Sequence, residues 1–196
     1  MSKRSFDLIV ACIGILLLAP LLLSISVWIK LDSPGPVFFL QQRVGRWGKL
    51  FNIYKFRSMF FESNTLTQLT VGRDPRITKA GHFLRKYKLD ELPQLLNVIT
   101  GSMSLVGPRP EVPRYVACYS DEARSIVLSV APGLTDWATI EYVNENALLV
   151  AYDDPERAYV EKILPVKLKY QIRYARERNF WLDLRILFRT FYVVIR

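Results

Sequence analysis

The sequence predicts an α+β protein in which a small antiparallel sheet is surrounded by helices. It is tied to a membrane by a re-entrant helix-break-helix hairpin at residues 1–31 and by interfacial amphipathic helices. Three observations predict this. Residues 6–29 are almost wholly apolar, with Pro20 in their middle; residues 37–40 and the alternating stretch 51–57 read as hairpin partners; and several later segments carry helix start and stop signals. Residues 32–196 form the expected globular part.

With 196 residues and 51% hydrophobic composition, the chain has a core's worth of apolar side chains and more than a soluble domain of this size usually carries. The net charge of +9 suits an anionic partner: nucleic acid, an acidic lipid surface or a phosphorylated substrate. Cys12 and Cys118 stand far apart without metal-ligand spacing. They argue neither for a disulfide scaffold nor for zinc, and a reducing cytoplasm is the default.

The apolar segment carries Asp7 as its only charge and runs on through Val27, Trp28 and Ile29 without the small-residue site a cleaved signal needs. Its length would allow a simple spanning helix, which takes roughly 20 residues. Two details favour a hairpin instead. Pro20 removes a backbone donor and clashes with the carbonyl four residues earlier. Lys3 and Arg4 precede the segment while Lys30, Arg43, Arg46 and Lys49 follow it, so both flanks belong on the cytoplasmic side. The carbonyl freed near Pro20 needs a polar partner, for which Ser24 and Ser26 are the nearest candidates.

Beyond the turn-rich stretch 32–36, residues 37–40 read as a short strand, 43–49 mix glycines with cations, and 51–57 alternate so that Lys55 and Arg57 share a face. Residues 62–76 are polar and turn-rich, a mobile loop before a helix at 80–87 that holds the sole histidine, His82, in a structural role. Pro93 suits the first position of a helix over 93–99, with Gly101 as its stop. Residues 122–130 and 155–174 read as further helices. Residues 180–196 set aromatic and aliphatic side chains beside Arg185 and Arg189, the pattern of an interfacial helix or of a core helix with snorkelling arginines.

The block from Leu89 to Leu95 carries the chemistry. Asp90 and Glu91 stand where a helix begins, and exposed backbone N–H groups there hold anions. Adjacent helical residues point apart, so one carboxylate is free to attack phosphorus while the other binds a divalent cation. Acidic residues also favour helix amino termini for their own sake. The neighbouring cations tip the balance toward chemistry: Arg109 is fixed between Pro108 and Pro110 as a phosphate clamp requires, and Arg85, Lys55 and Arg57 supply further charge for a diphosphate.

These motifs, in order, resemble a known family. Lys3-Arg4 with Asp7, Gly35-Pro36, Gln42-Arg43, Lys55 to Met59, Leu84-Arg85, Leu89 to Gln94, Asn97-Val98, Met103 to Pro110 and Pro132 to Thr135 together resemble the monotopic bacterial sugar transferases, in a minimal version lacking extra amino-terminal spans. The resemblance implies a membrane helix broken at Pro20 and an enzyme on the cytoplasmic face of the bacterial inner membrane, with 32–196 as its catalytic domain. It implies transfer of a sugar 1-phosphate from a UDP-sugar to polyprenyl (undecaprenyl) phosphate with release of UMP. Asp90 would be the nucleophile forming an aspartyl phosphosugar, and the Asp90–Glu91 pair would bind Mg2+. Lys55 and Arg85 would hold phosphates and Arg109 the nucleotide or phosphate. Membrane lipids are expected partners and nucleic acid is not; a homodimer is left open.

Four positions depart from the family's usual pattern: Ala19 before Pro20, Ser102 before Met103, and Asp136 and Thr139 after Thr135. A non-catalytic basic adaptor would cluster its cations without a paired carboxylate. Here the cations bracket Asp90 and Glu91. An enzyme of the same fold that hydrolyses nucleotide sugars, or transfers sugar directly, would differ in not depending on a lipid carrier.

Overall fold

In the computed structural model the chain is mostly helical, and residues 2–61, 72, 74–142 and 148–195 are described. Helix α1 spans Lys3–Asp32 and is capped by the Ser2 hydroxyl, which accepts from the Ser5 N–H at 3.2 Å. It is the one described helix long and apolar enough to cross a membrane. At about 1.5 Å per residue it is about 45 Å long.

The helix runs without interruption through Pro20, so the expected break does not divide it into two helices. Nor do the serines serve the carbonyl that Pro20 frees. Ser24 donates to the Pro20 carbonyl at 2.9 Å and Ser26 to that of Leu22 at 2.7 Å, each reaching one turn back from its own position. Both ends of α1 rest on the globular part. At its start Lys3 pairs with Asp183, Arg4 donates to the carbonyls of Val98 and Ile99, and buried Asp7 accepts from Ser104 Oγ at 2.7 Å. At its end Ile25 and Ile29 pack with Phe56 and Leu84. Between these anchors Leu16, Leu17 and Leu23 are exposed.

Strands β1 (Phe38–Val44) and β2 (Leu50–Phe56) form the expected antiparallel hairpin, with Phe39 opposite Lys55. Helix α2 (Lys79–Lys86) follows; the loop expected at 62–76 lies mostly outside the described residues. The chain then makes a 3-10 turn over Leu89–Gln94 and helix α3 (Leu95–Thr100), which Gly101 ends at φ 87°. Pro93 therefore sits inside the 3-10 turn and not at the first position of the helix.

A second sheet was not predicted. Strands β3 (Ser104–Val106) and β4 (Gly133–Thr135) pair in parallel and are too short for a periodic signal. Helices α4 (Pro113–Val116) and α5 (Asp121–Val127) lie between them, and α6 (Trp137–Glu141) follows. Helix α7 (Pro155–Ala158), a π turn (Tyr159–Ile163) and α8 (Leu164–Glu177) make a run that Pro165 does not stop, because it stands in the first turn of α8. Helix α9 (Phe180–Ile195) closes against α1 through an edge-on contact of Phe6 and Phe180 at 5.3 Å. One core cluster joins Ala11, Ile53, Val98, Val106, Tyr174 and Ile186, and so links α1, both sheets, α3, α8 and α9.

Candidate active site

The carboxylate pair is placed by a buried amide. Asn97 on α3 turns its side chain to the backbone of β2, accepting from the Tyr54 N–H at 2.9 Å and donating to the Asn52 carbonyl at 2.8 Å. This amide satisfies the strand's outward backbone groups as another strand would. It fastens the 3-10 turn above Lys55. Ser102 donates to the Asn97 carbonyl at 3.2 Å and accepts from its amide nitrogen at 3.2 Å, so this departure from the family pattern supports the same joint. Lys88, which sequence reasoning passed over, turns the chain into the site with a left-handed φ of 55°.

Arg109 is placed by the second sheet. Gly107 donates to the Thr135 carbonyl and Gly133 to that of Pro108, each at 3.0 Å. The strands approach so closely that a Cβ on Gly133 would lie 2.0 Å from the Gly107 nitrogen, so only glycine fits. Asp136, buried at the amino end of α6, then accepts from the Arg109 N–H at 3.1 Å through Oδ2 and from both Thr139 N–H and Oγ1 at 2.7 Å through Oδ1. Two departures from the family pattern, Asp136 and Thr139, thus form one cap. Gln171 Nε2 completes it, reaching the Arg109 carbonyl and Asp136 Oδ2 at 3.4 Å each.

The structure brings Lys55, Arg85, Asp90, Glu91 and Arg109 together. Glu91 Oε1 accepts from Lys55 Nζ at 2.9 Å and from a terminal nitrogen of Arg109. Burial alone would raise the Glu91 carboxyl, but the charges and hydrogen bonds of Arg109 and Lys55 outweigh it and hold the group well below the usual range. The same pairing raises Arg109, whereas burial lowers Lys55 against the pull of Glu91.

Asp90 differs. It is buried, with 8% of its surface exposed, and among the described residues none donates a hydrogen bond to its carboxylate. Burial first, and then the charge of Glu91, raise its carboxyl above the usual value, while Lys55, Arg85 and Lys88 oppose the rise. Arg85 is itself lowered by burial and held mainly by Asp90. Among the described residues no three His, Cys, Asp or Glu side chains gather as a metal cage. The donors left for a divalent cation are the Asp90 carboxylate and Glu91 Oε2, since both cations on Glu91 use Oε1.

Arg57 is not in this group. Its guanidinium is buried against the carboxyl end of α1, where it donates to the carbonyls of Pro36, Pro34, Ser33 and Ile29 and to Ser33 Oγ over 2.7–3.3 Å. Five donors are matched to five acceptors, which leaves nothing for a phosphate. Strand β2 ends at Phe56, so the alternation that placed Lys55 and Arg57 on one face no longer governs Arg57. Pro20 lies in α1, away from the cluster, and His82 is exposed on α2.

The whole chain, residues 1–196, matches the bacterial sugar transferase family. It belongs to that family. Among relatives of this bacterial sugar transferase, an Escherichia coli protein named UDP-glucose:undecaprenyl-phosphate glucose-1-phosphate transferase is 40% identical over 191 residues, 96% of this chain and 39% of that protein. An Aeromonas hydrophila protein named UDP-N-acetylgalactosamine-undecaprenyl-phosphate N-acetylgalactosaminephosphotransferase is 38% identical, covering 98% of this chain and 43% of its own length. The exopolysaccharide production protein ExoY of Sinorhizobium fredii is 40% identical over 78% of this chain and 75% of itself. The sugar transferase chain therefore spans less than half the length of the first two.

Proposed function

We propose that the chain is a phosphoglycosyl transferase moving a sugar 1-phosphate from a UDP-sugar to undecaprenyl phosphate, the first membrane step of polysaccharide or glycoconjugate assembly. The observation that carries this reading is the asymmetry of the carboxylate pair: Glu91 is clamped by two cations while its neighbour Asp90 is buried without a hydrogen bond among the described residues. A carboxylate stripped of donors is a strong nucleophile at hand for phosphorus.

In the first half-reaction an Asp90 oxygen attacks the phosphorus joined to the sugar. The bond from that phosphorus to the oxygen of the uridylate breaks, UMP leaves, and an aspartyl phosphosugar remains. In the second, an oxygen of undecaprenyl phosphate attacks the same phosphorus. The bond to Asp90 breaks, the carboxylate is restored, and undecaprenyl-diphosphate-sugar departs. Lys55, Arg85 and Arg109 neutralise charge on the diphosphate as it builds. Two carboxylates fit Mg2+, which keeps several waters and takes its other ligands from substrate phosphates. When bound, the ion polarises those phosphates and steadies the leaving UMP. Asp90 and Glu91 Oε2 would hold it.

Residence on the cytoplasmic face of the inner membrane is supported by basic residues on both flanks of α1 and by the attachment of both its ends to one globular body. Attachment at both ends favours a helix that dips into the near side of the bilayer over one that crosses it. Incubating the protein in detergent with Mg2+, undecaprenyl phosphate and a panel of UDP-sugars tests the reaction. Carrier-dependent turnover to UMP is expected; repeated turnover to UMP without the carrier would mean hydrolysis, and UDP in place of UMP would mean direct glycosyl transfer, and either would sink the proposal.

A further inference from the structure

Away from the carboxylate pair, α6, α8 and α9 frame a cavity of about 290 Å³ lined by Trp137, Tyr170, Arg173, Tyr174, Leu182 and Arg185 and by one carboxylate, that of Glu177. None of these side chains touches Asp90 or Glu91 through a described hydrogen bond or ion pair. The Arg185 guanidinium stands 6.0 Å from the centre of the Trp137 ring and, among the described residues, has no carboxylate partner. Among the described residues Arg173 gives only its Nε to Glu177, at 3.0 Å, and both its terminal nitrogens are open. Two cations thus flank an aromatic floor.

The outer face of α9 continues the same theme. Trp181, Arg185, Phe188 and Tyr192 recur at helical spacing along one side, with Arg189 and Phe191 beside them, and Trp181 is 77% and Phe188 75% exposed. Large aromatics mixed with arginines on one exposed face suit the depth where lipid headgroups meet acyl chains. Charge agrees: residues 170–190 carry Arg173, Arg176, Arg178, Arg185 and Arg189 against Glu177 and Asp183, and Asp183 is already held by Lys3 and Tyr174. Phe6 against Phe180 joins this face to the exposed leucines of α1.

We propose that this cavity seats the phosphate of an anionic membrane phospholipid, gripped by Arg173 and Arg185 with its glycerol end against Trp137 and Tyr170. The site rests on the membrane association argued above and is independent of the sugar-transfer chemistry. A neutral headgroup carries its own ammonium into the reach of two arginines and is rejected; a phosphatidylglycerol headgroup brings only the negative charge.

The test is native mass spectrometry of the full chain in nonionic micelles doped with either phosphatidylglycerol or phosphatidylcholine. Wild type is expected to retain phosphatidylglycerol alone. Arg185→Gln is expected to cut that retention about fivefold, matching about 1 kcal/mol per basic side chain at an anionic surface, while Arg185→Lys keeps most of it. Arg173→Gln on the other helix repeats the comparison if Arg185→Gln loses helical structure by circular dichroism. Equal retention of both lipids, or no change in either glutamine variant, overturns the site. Displacement by inorganic phosphate would reduce it to an ion site, and displacement by undecaprenyl phosphate at the same concentration would hand it to the acceptor; either result overturns the proposal. UMP release measured on the same preparations separates the two readings, because its loss with phosphatidylglycerol retained counts against sugar transfer and leaves this site standing.

Discussion

Two buried charged centres sit two residues apart on the Pro108–Glu111 segment, and they treat their carboxylates in opposite ways. Around Glu111 both carboxylate oxygens and the backbone carbonyl are matched, although Arg43 Nε is left without a partner among the described residues. Tyr159 donates at 2.6 Å and Lys167 at 3.1 Å to Oε1, Arg43 approaches Oε2 at 3.5 Å, and the Glu111 carbonyl accepts from the Val44 N–H. Around Arg109 the pairing is lopsided: Glu91 takes two cations and Asp90 takes no hydrogen bond from a described residue. Burial pushes both Glu111 and Asp90 upward, but only Glu111 has donors enough to end below the usual range. Complete pairing marks a carboxylate that holds the fold together. Incomplete pairing at equal burial suits the chemistry proposed for Asp90.

The comparison breaks first at Asp90. Asp90→Asn is expected to lower turnover on the order of 10⁴-fold, about 5.5 kcal/mol of barrier, in the carrier-dependent UMP assay. The same variant is expected to raise the Tm at neutral pH. A raised carboxyl withdraws stability as pH climbs from its unfolded value through its folded one, and an amide removes that cost. A lowered Tm would show that Asp90 is paired after all.

Glu111→Ala should move stability the other way, by about 4 kcal/mol, since it strands Lys167 and Arg43 without their carboxylate. Because the Glu111 carboxyl is held low, its contribution is present above the ordinary glutamate range and lost as pH falls through the depressed value, so wild type and variant should converge in Tm toward strong acid. Lys55→Met sharpens the contrast by thinning the clamp on Glu91. Turnover should fall about 10²-fold, as when one charge-stabilising donor is lost. The acid limb of kcat/KM should shift to higher pH, because Lys55 is the leading cation holding Asp90 down. An unmoved limb would assign that limb to another group. The smallest effect is expected for Thr139→Val, which removes one hydroxyl bond from Asp136 but keeps the backbone one; about 1 kcal/mol of stability and less than about fivefold in donor KM should be lost.

The hairpin and the stop at Gly101 were legible because each is announced within a few residues, by alternation or by glycine, and α2 was placed to within a residue or so of its bounds. The carboxylate pair was legible for the same reason, although its 3-10 setting was not. What escaped the sequence depends on distant partners. Asp136 meets Arg109 across 27 positions and Gln171 meets it across 62, and no local pattern announces either. Arg57 misled because its charge suggested phosphate, while the five acceptors that claim it come from the far end of α1 and the turn after it. Proline at position 20 foretold a weakness in the helical ladder, and the helix continues through it nonetheless.

The latch between α1 and α9 sets a schedule for synthesis. Lys3 and Asp183 are 180 positions apart, and Phe6 waits nearly as long for Phe180. At about 5–20 residues per second, translation takes about 10–35 s to deliver the partner. For that interval the leucine-rich helix must be sheltered by something other than its own protein, and the lipid bilayer is the one apolar phase at hand. The membrane would then serve this chain as a holding site during its birth, before any part it plays in the reaction proposed above.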